Sequence, residues 1–311
     1  MTDEHGVLVI GDYYIDMVFA GLPRWPQPGE EIFASQIRVL AGGAFTHARA
    51  LHRLRIPPTW AAQLGDDPYS RLLLDTAAAE GLDTSAYLVH DHAVRNVSVA
   101  ASHAGERGFL SFKEPVPPRD VTGAIIRHRP AIVLIAELRR GERLAAVVDA
   151  ARAVDARVVM DPQHVESTLR DPAVRTVLRS IDVFLPNAAE ARRLTGREQL
   201  PDAVEDLAAL TPVVAVKNGA DAALAAHGAV RCTATPPEVT VVDTVGAGDC
   251  FDAGFVAGLA NGLDLDACLR LATWCGSLST RDYGGAAAPH LDDIARLAPD
   301  LVPWASVTPP S

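Results

Sequence analysis

Residues 241–259, VVDTVGAGDCFDAGFVAGL, hold the strongest chemical pattern in the chain. The β-branched run predicts a strand ending near Val242. A Gly-Ala-Gly turn follows, then a helix from about Asp249 to Asn261 with Gly262 as its stop. Glycines let the backbone approach a ligand closely, and the free amides of a helix start attract anions. Asp249 would stand beside such an anion, where a carboxylate can orient a hydroxyl and accept its proton as a phosphoryl group arrives. Phosphoryl transfer needs mainly positioning and charge stabilisation, so a base and an amide cradle nearly suffice. The alternative is a Gly-rich turn capped by Asp249; the full strand-turn-helix pattern favours chemistry.

Other residues suited to chemistry are spread along the chain. Residues 7–16, VLVIGDYYID, read as a strand followed by glycine and two carboxylates, Asp12 and Asp16. Gly42 and Gly43 open a helical pattern that carries Thr46 and His47. Asn187 and Glu190 form a capping pattern with Gly196 beyond the helix. Lys217 ends an apolar run and leads into Gly219; it either neutralises phosphate or is a solvated strand end. Asp161-Pro162 reads as a turn, and His90 with His92 as a solvated pair without a third metal ligand.

The elements that must position these groups alternate. Residues 7–10, 131–135, 158–160, 183–185 and 213–216 are short, nearly all-apolar runs, as expected of strands buried on both faces. Helical patterns cover 44–54, 69–80, 143–153, 188–194, 203–210, 250–260 and 265–279. The order predicts an α/β fold with a mainly parallel sheet and helices on both faces, and ligands beyond the strands' carboxyl ends. Residues 31–40 and 96–112 instead alternate apolar and polar side chains. They predict a small β lid or dimer contact, or else edge strands of the main sheet. One domain is expected over 1–298, with a loose Pro-rich tail over 299–311.

Composition narrows the function. The 311 residues are 49% apolar and carry a net charge of −11, which excludes disorder and argues against nucleic-acid binding. Four cysteines lack zinc spacing and suit a reducing cytoplasm; Cys268 and Cys275 fall on one face of a helix. No signal peptide and no membrane span is expected. Only two basic residues are lysines, Lys113 and Lys217, and neither follows the glycines of a P-loop. No G-x-G-x-x-G follows a strand, which counts against a dinucleotide dehydrogenase.

The run Asp243-Thr-Val-Gly-Ala-Gly-Asp249-Cys-Phe251 resembles the D-T-x-G-A-G-D-x-F signature of the ribokinase-like (PfkB) carbohydrate kinases, and the likeness extends from Gly11 to about Ala288. It implies ATP-dependent phosphorylation of a hydroxymethyl group of a small sugar, with Asp249 as base and Gly246, Ala247 and Gly248 as anion hole. Asp16 takes the place of a sugar-binding Asp, with Asp12 near it, and Gly42 and Gly43 match the family's glycine pair. The family's Asn shortly after that pair is replaced by Thr46 or His47. Glu137 lies near a substrate Glu. Asn187 and Glu190 match an N-x-x-E motif that organises magnesium and phosphates through water, while Lys217, Gly219 and Thr244 fall on the nucleotide side, with Ala222 where the nucleotide loop has a second glycine. A monovalent cation such as potassium is implied near Asp243 and the Val245 carbonyl. The acceptor is a sugar or a nucleoside; Arg24, Arg95 or Arg107 would clamp one already phosphorylated. A catalytically silent sugar-binding protein is the rival of another class, and a homodimer through the lid strands is expected.

Overall fold

The computed structural model describes residues 6–103, 106–163 and 165–306. Its main sheet has eight strands. From one edge they run Val230–Ala234, Ala223–His227, Val213–Val216, Val183–Phe184, Arg157–Met160, Ile132–Ile135, Val7–Ile10 and Pro58–Trp60. The last six are parallel, and the first two form an antiparallel edge that the apolar-run pattern does not reveal.

Side chains of a strand alternate between faces, so each apolar run feeds two cores. Val7 and Val9 join one with helices Ala44–Arg53, Ala247–Ala260 and Leu265–Ser279; Leu8 and Ile10 join the other with Glu142–Arg152, Pro172–Ser180 and Leu200–Ala208. Helices therefore cover both faces, as expected. Cys268 and Cys275 are buried where that helix crosses Gly258 and Gly254; a Cβ on either glycine would stand 2.9 Å from a cysteine sulfur.

The alternating segments form a separate four-stranded sheet, ordered Gln36–Gly43, Tyr13–Ala20, Asn96–His103 and Glu106–Lys113. They are not edge strands of the main sheet. Residues 31–35 lie outside the first strand, which continues instead to Gly43. The segment expected over 96–112 is a hairpin, and Tyr13–Ala20, carrying Asp16, supplies a further strand beyond the one expected over 7–10. Pairing places Asp16 opposite Ser98, and Ser98 opposite Ser111, on one face. The other face carries Ile37, Val39, Val97, Val99, Leu110 and Phe112.

The tail is not loose over its first residues. Pro299–Leu301 and Pro303–Ser306 are short 3-10 helices, and Leu301 and Val302 are buried in the core. Residues 307–311 fall outside the described residues.

Candidate active site

The helix carrying Asp249 begins at Ala247, two residues earlier than the pattern suggested, because Gly246 at φ +78° provides the left-handed turn that starts it. A side chain on Gly246 would meet the Gly285 backbone at 2.8 Å. Asp249 thus sits in the first turn rather than capping it. The amides of Gly248 and Asp249 donate to no acceptor among the described residues, while that of Ala247 reaches Thr244 O at 3.3 Å. First-turn amides of this kind form an anion cradle.

Asp249 is 18% exposed and borders a cavity of about 230 Å3 with Tyr14, Asp16, Gly43, Ser98, Ser111 and Gln163. The second sheet forms one wall of this cavity and the start of the Asp249 helix another. Gly42 is needed here because a side chain on it would collide with the Asp16 carboxylate, and Gly43 turns the chain into the helix at φ +65°. Burial raises the pKa of Asp16 to about 7, with Asp249 and Asp243 adding repulsion.

Behind Asp249 lies a buried polar cluster that the sequence reading largely missed. Lys217 Nζ is 2.9 Å from both oxygens of Asp252 and 3.2 Å from Asp161 Oδ1. His47 Nε2 is 3.3 Å from Asp252 Oδ2 and 3.7 Å from Asp249 Oδ1. Lys217 is therefore neither a solvated strand end nor an unpaired cation, and Asp161 is more than a turn residue. Asp252 was legible only as the i+3 neighbour of Asp249 on a helix face. His47, Asp161, Asp249 and Asp252 offer ligand atoms within 4.8 Å of one another, a spacing that suits a cation, and the Lys217 ammonium already supplies that charge.

Burial raises the Asp249 pKa, with Asp161 adding to it, while His47 and Lys217 oppose the rise. Burial also lifts Asp252 to about 7 against the pull of Lys217. Burial alone would lower His47, but Asp249 and Asp252 outweigh it and its pKa is raised. Thr46 and His47 are buried behind the cavity rather than on its surface.

Asn187 and Glu190 form a complete capping box: Glu190 N–H donates to Asn187 Oδ1 at 2.9 Å, and Asn187 N–H to Glu190 Oε2 at 2.8 Å. The two strand ends meet where Asn187 bridges Lys217. Burial, reinforced by Asp161, raises the Glu190 pKa to about 7. Buried oxygen donors that repel one another suit a hydrated divalent cation. Thr244 is exposed, and Gly219 lies at φ +62° with open space around it. Asp243 accepts from Gly284 N–H at 2.9 Å and from Val245 N–H at 3.2 Å.

Asp12 and Glu137 lie apart from the Asp249 cavity, in a second one, with Lys113 paired to Asp12. Arg24 and Arg95 line neither cavity; they pair with Glu30 and Glu114, and the Arg107 side chain falls outside the described residues.

The pfkB family carbohydrate kinase domain matches residues 4–291. The chain is 30% identical to a fructokinase of Klebsiella pneumoniae, over 93% of this chain and 98% of that one. It is 28% identical to a ribokinase of Arabidopsis thaliana, over 94% of this chain and 80% of the relative. The structure of Arabidopsis thaliana ribokinase complexed with ribose and ATP superposes with a TM-score of 0.77 at 24% identity, covering 94% of this chain and 97% of that one. With a ribokinase-like fold and a match over nearly its whole length, the chain belongs to the pfkB family of carbohydrate kinases and is a phosphotransferase.

Proposed function

We propose that this sugar kinase transfers the γ-phosphate of ATP to a hydroxymethyl group of a small sugar of the ribose or fructose type. One observation carries the reading: Asp249, in a helix start whose Gly248 and Asp249 amides are unused among the described residues, borders a cavity that Asp16 also lines. Asp249 accepts the hydroxyl proton, and the amides of Gly248 and Asp249, flanked by Gly246 and Ala247, receive the phosphoryl oxygens. Asp16 and the Gly42–Gly43 turn orient the sugar, since each carboxylate oxygen can accept a sugar O–H.

The nucleotide lies toward Asn187, Lys217, Gly219 and Thr244. Magnesium, when bound, neutralises phosphate charge, and Asn187 and Glu190 would hold its water shell. Potassium is assigned to the Asp243–Val245 turn. A nucleotide-dependent reaction of this kind fits a cytoplasmic site of action. The apolar outer face of the second sheet supports a homodimer: Leu110 is 76% and Phe112 52% exposed.

The test is ADP release with ATP and a panel of sugars, nucleosides and sugar phosphates, with and without potassium. Turnover confined to nucleosides would move the reading to a nucleoside kinase. Absence of acceptor-dependent ADP release across the panel would leave a silent sugar-binding protein. Rates indifferent to potassium would remove the monovalent site.

A further inference from the structure

The carboxyl edge of the main sheet is laid out in sequence across the molecule. Asn187 and Lys217 follow the strands Val183–Phe184 and Val213–Val216, and Asp161 follows the next strand, Arg157–Met160. Beyond the following two strands, Ile132–Ile135 and Val7–Ile10, lies the second cavity, also of about 230 Å3. It is on the side away from the nucleotide residues, where the far end of an acceptor would reach. The two cavities share a wall. Ser111 borders the Asp249 cavity and Lys113 borders the second, from the same face of one strand and about 7 Å apart. Tyr14 stands between them, lining the first cavity and feeling the charges of Lys113, Asp12 and Glu137.

The second cavity is cationic although the chain is acidic. Lys113, Arg119, Arg139, Arg140 and Arg143 line it against two carboxylates, Asp12 and Glu137. Arg139 Nη2 lies 2.5 Å from Glu137, Lys113 pairs with Asp12, and Arg140 Nη1 reaches Asp171 at 3.1 Å. Those pairs leave two guanidinium groups over. Among the described residues Arg119 donates to the carbonyls of Ala62, at 3.2 Å, and Ala86 and has no carboxylate partner, and burial lowers its pKa. Arg143 makes no ion pair among the described residues, and the buried Nε–H of Arg139 has no acceptor. Guanidinium groups with unmatched charge and a spare donor suit the planar or tetrahedral oxygens of a carboxylate or phosphate.

We propose that the acceptor sugar carries an anionic substituent, a phosphate monoester or a carboxylate, remote from the hydroxyl that meets Asp249 and lodged in this arginine-lined cavity. The inference rests on the kinase reading of the Asp249 site and deepens it.

The experiment compares kcat/KM, by ADP release, for neutral sugars with their phosphorylated and carboxylate counterparts, in the parent and in Arg143→Ala. At least one anionic acceptor is expected to exceed its neutral parent by about tenfold or more, and R143A to reduce that advantage several-fold. The phosphate and carboxylate arms distinguish the two sources of the anion. Neutral sugars that equal or exceed every anionic counterpart overturn the inference while leaving the kinase intact, as does an R143A effect of equal size on both. Should no acceptor be phosphorylated, the kinase reading fails, and calorimetric titration with sugar phosphates and sugar acids decides the cavity alone. Binding weakened by R143A supports it, and its absence, or binding that R143A leaves unchanged, overturns it.

Discussion

The imidazole Nε2 of His47 lies 3.7 Å from Oδ1 of Asp249, on the side of the carboxylate away from the cavity, and the ring is fully buried. One side of the proposed base thus faces the acceptor while the other faces a cluster of His47, Asp252, Asp161 and Lys217. The cluster ties the Asp249 helix to the strand ends that carry Asp161 and Lys217, and its charges act on the base through a low-dielectric interior.

Replacing Asp249 by Asn removes the proposed proton acceptor and keeps its shape. The kcat is expected to fall by about 10^2- to 10^4-fold, with nucleotide affinity retained. ADP release and calorimetric nucleotide titration measure the two effects, and near-parental turnover would remove Asp249 from its role.

The acid limb of kcat reports whether His47 acts on the base. Asp249 must be ionised to accept a proton, so the rate climbs with pH through its raised pKa, which His47 holds down. In His47→Asn that restraint is gone and the limb moves to higher pH. A stability effect without a displaced limb would make the ring a packing residue only.

Three carboxyl groups, Asp16, Asp252 and Glu190, have pKa values raised to about 7 in the folded protein. The folded state then binds more protons than the unfolded one between about pH 4 and 7, so these groups make stability decline as pH rises through that window. His47, also raised, acts in the same direction. Asp16→Asn is expected to be more stable than the parent at pH 8, by about 2 kcal/mol. Urea denaturation at pH 5.5 and pH 8 checks the slope; a parent more stable at pH 8 contradicts it.

Lys217 faces two almost fully buried carboxylates, Asp161 and Asp252. Lys217→Met removes the ammonium that faces both, leaving His47 beside Asp252, and is expected to cost about 3–5 kcal/mol of stability. Adding Asp252→Asn should return part of that loss, which denaturant midpoints of the single and double variants would show.

For the homodimer, Leu110→Glu places a charge on the exposed apolar face of the second sheet. Light scattering is expected to give a dimer for the parent and a monomer for the variant. A parent that stays monomeric at high concentration removes the dimer.

Much of the fold was legible because buried parallel strands and their helices have strong periodic signatures. Residues 7–10 and 265–279 appear as a strand and a helix with the expected limits. The antiparallel pair Ala223–His227 and Val230–Ala234 was not, since its mixed composition resembles a loop. Asp249 and its glycines were legible because an anion cradle is built from local backbone geometry, within one turn and one helix start. Asp161 was read as a turn, and Lys217 left between phosphate and solvent, because their partners lie on other elements. Ion pairing across elements leaves no local pattern.

By itself, then, the amino-acid order determined the layered α/β architecture and the phosphoryl-transfer motif, both written in short-range periodicity and turn chemistry. Tertiary structure alone decided which side chains meet. It carried Asp16 onto a second sheet facing Asp249, buried His47 and Lys217 behind the proposed base, and gathered Lys113, Arg119 and the arginines of 139–143 around one cavity. Burial and long-range Coulomb interactions, which set the charge state of each of these groups, exist only once distant segments have packed together.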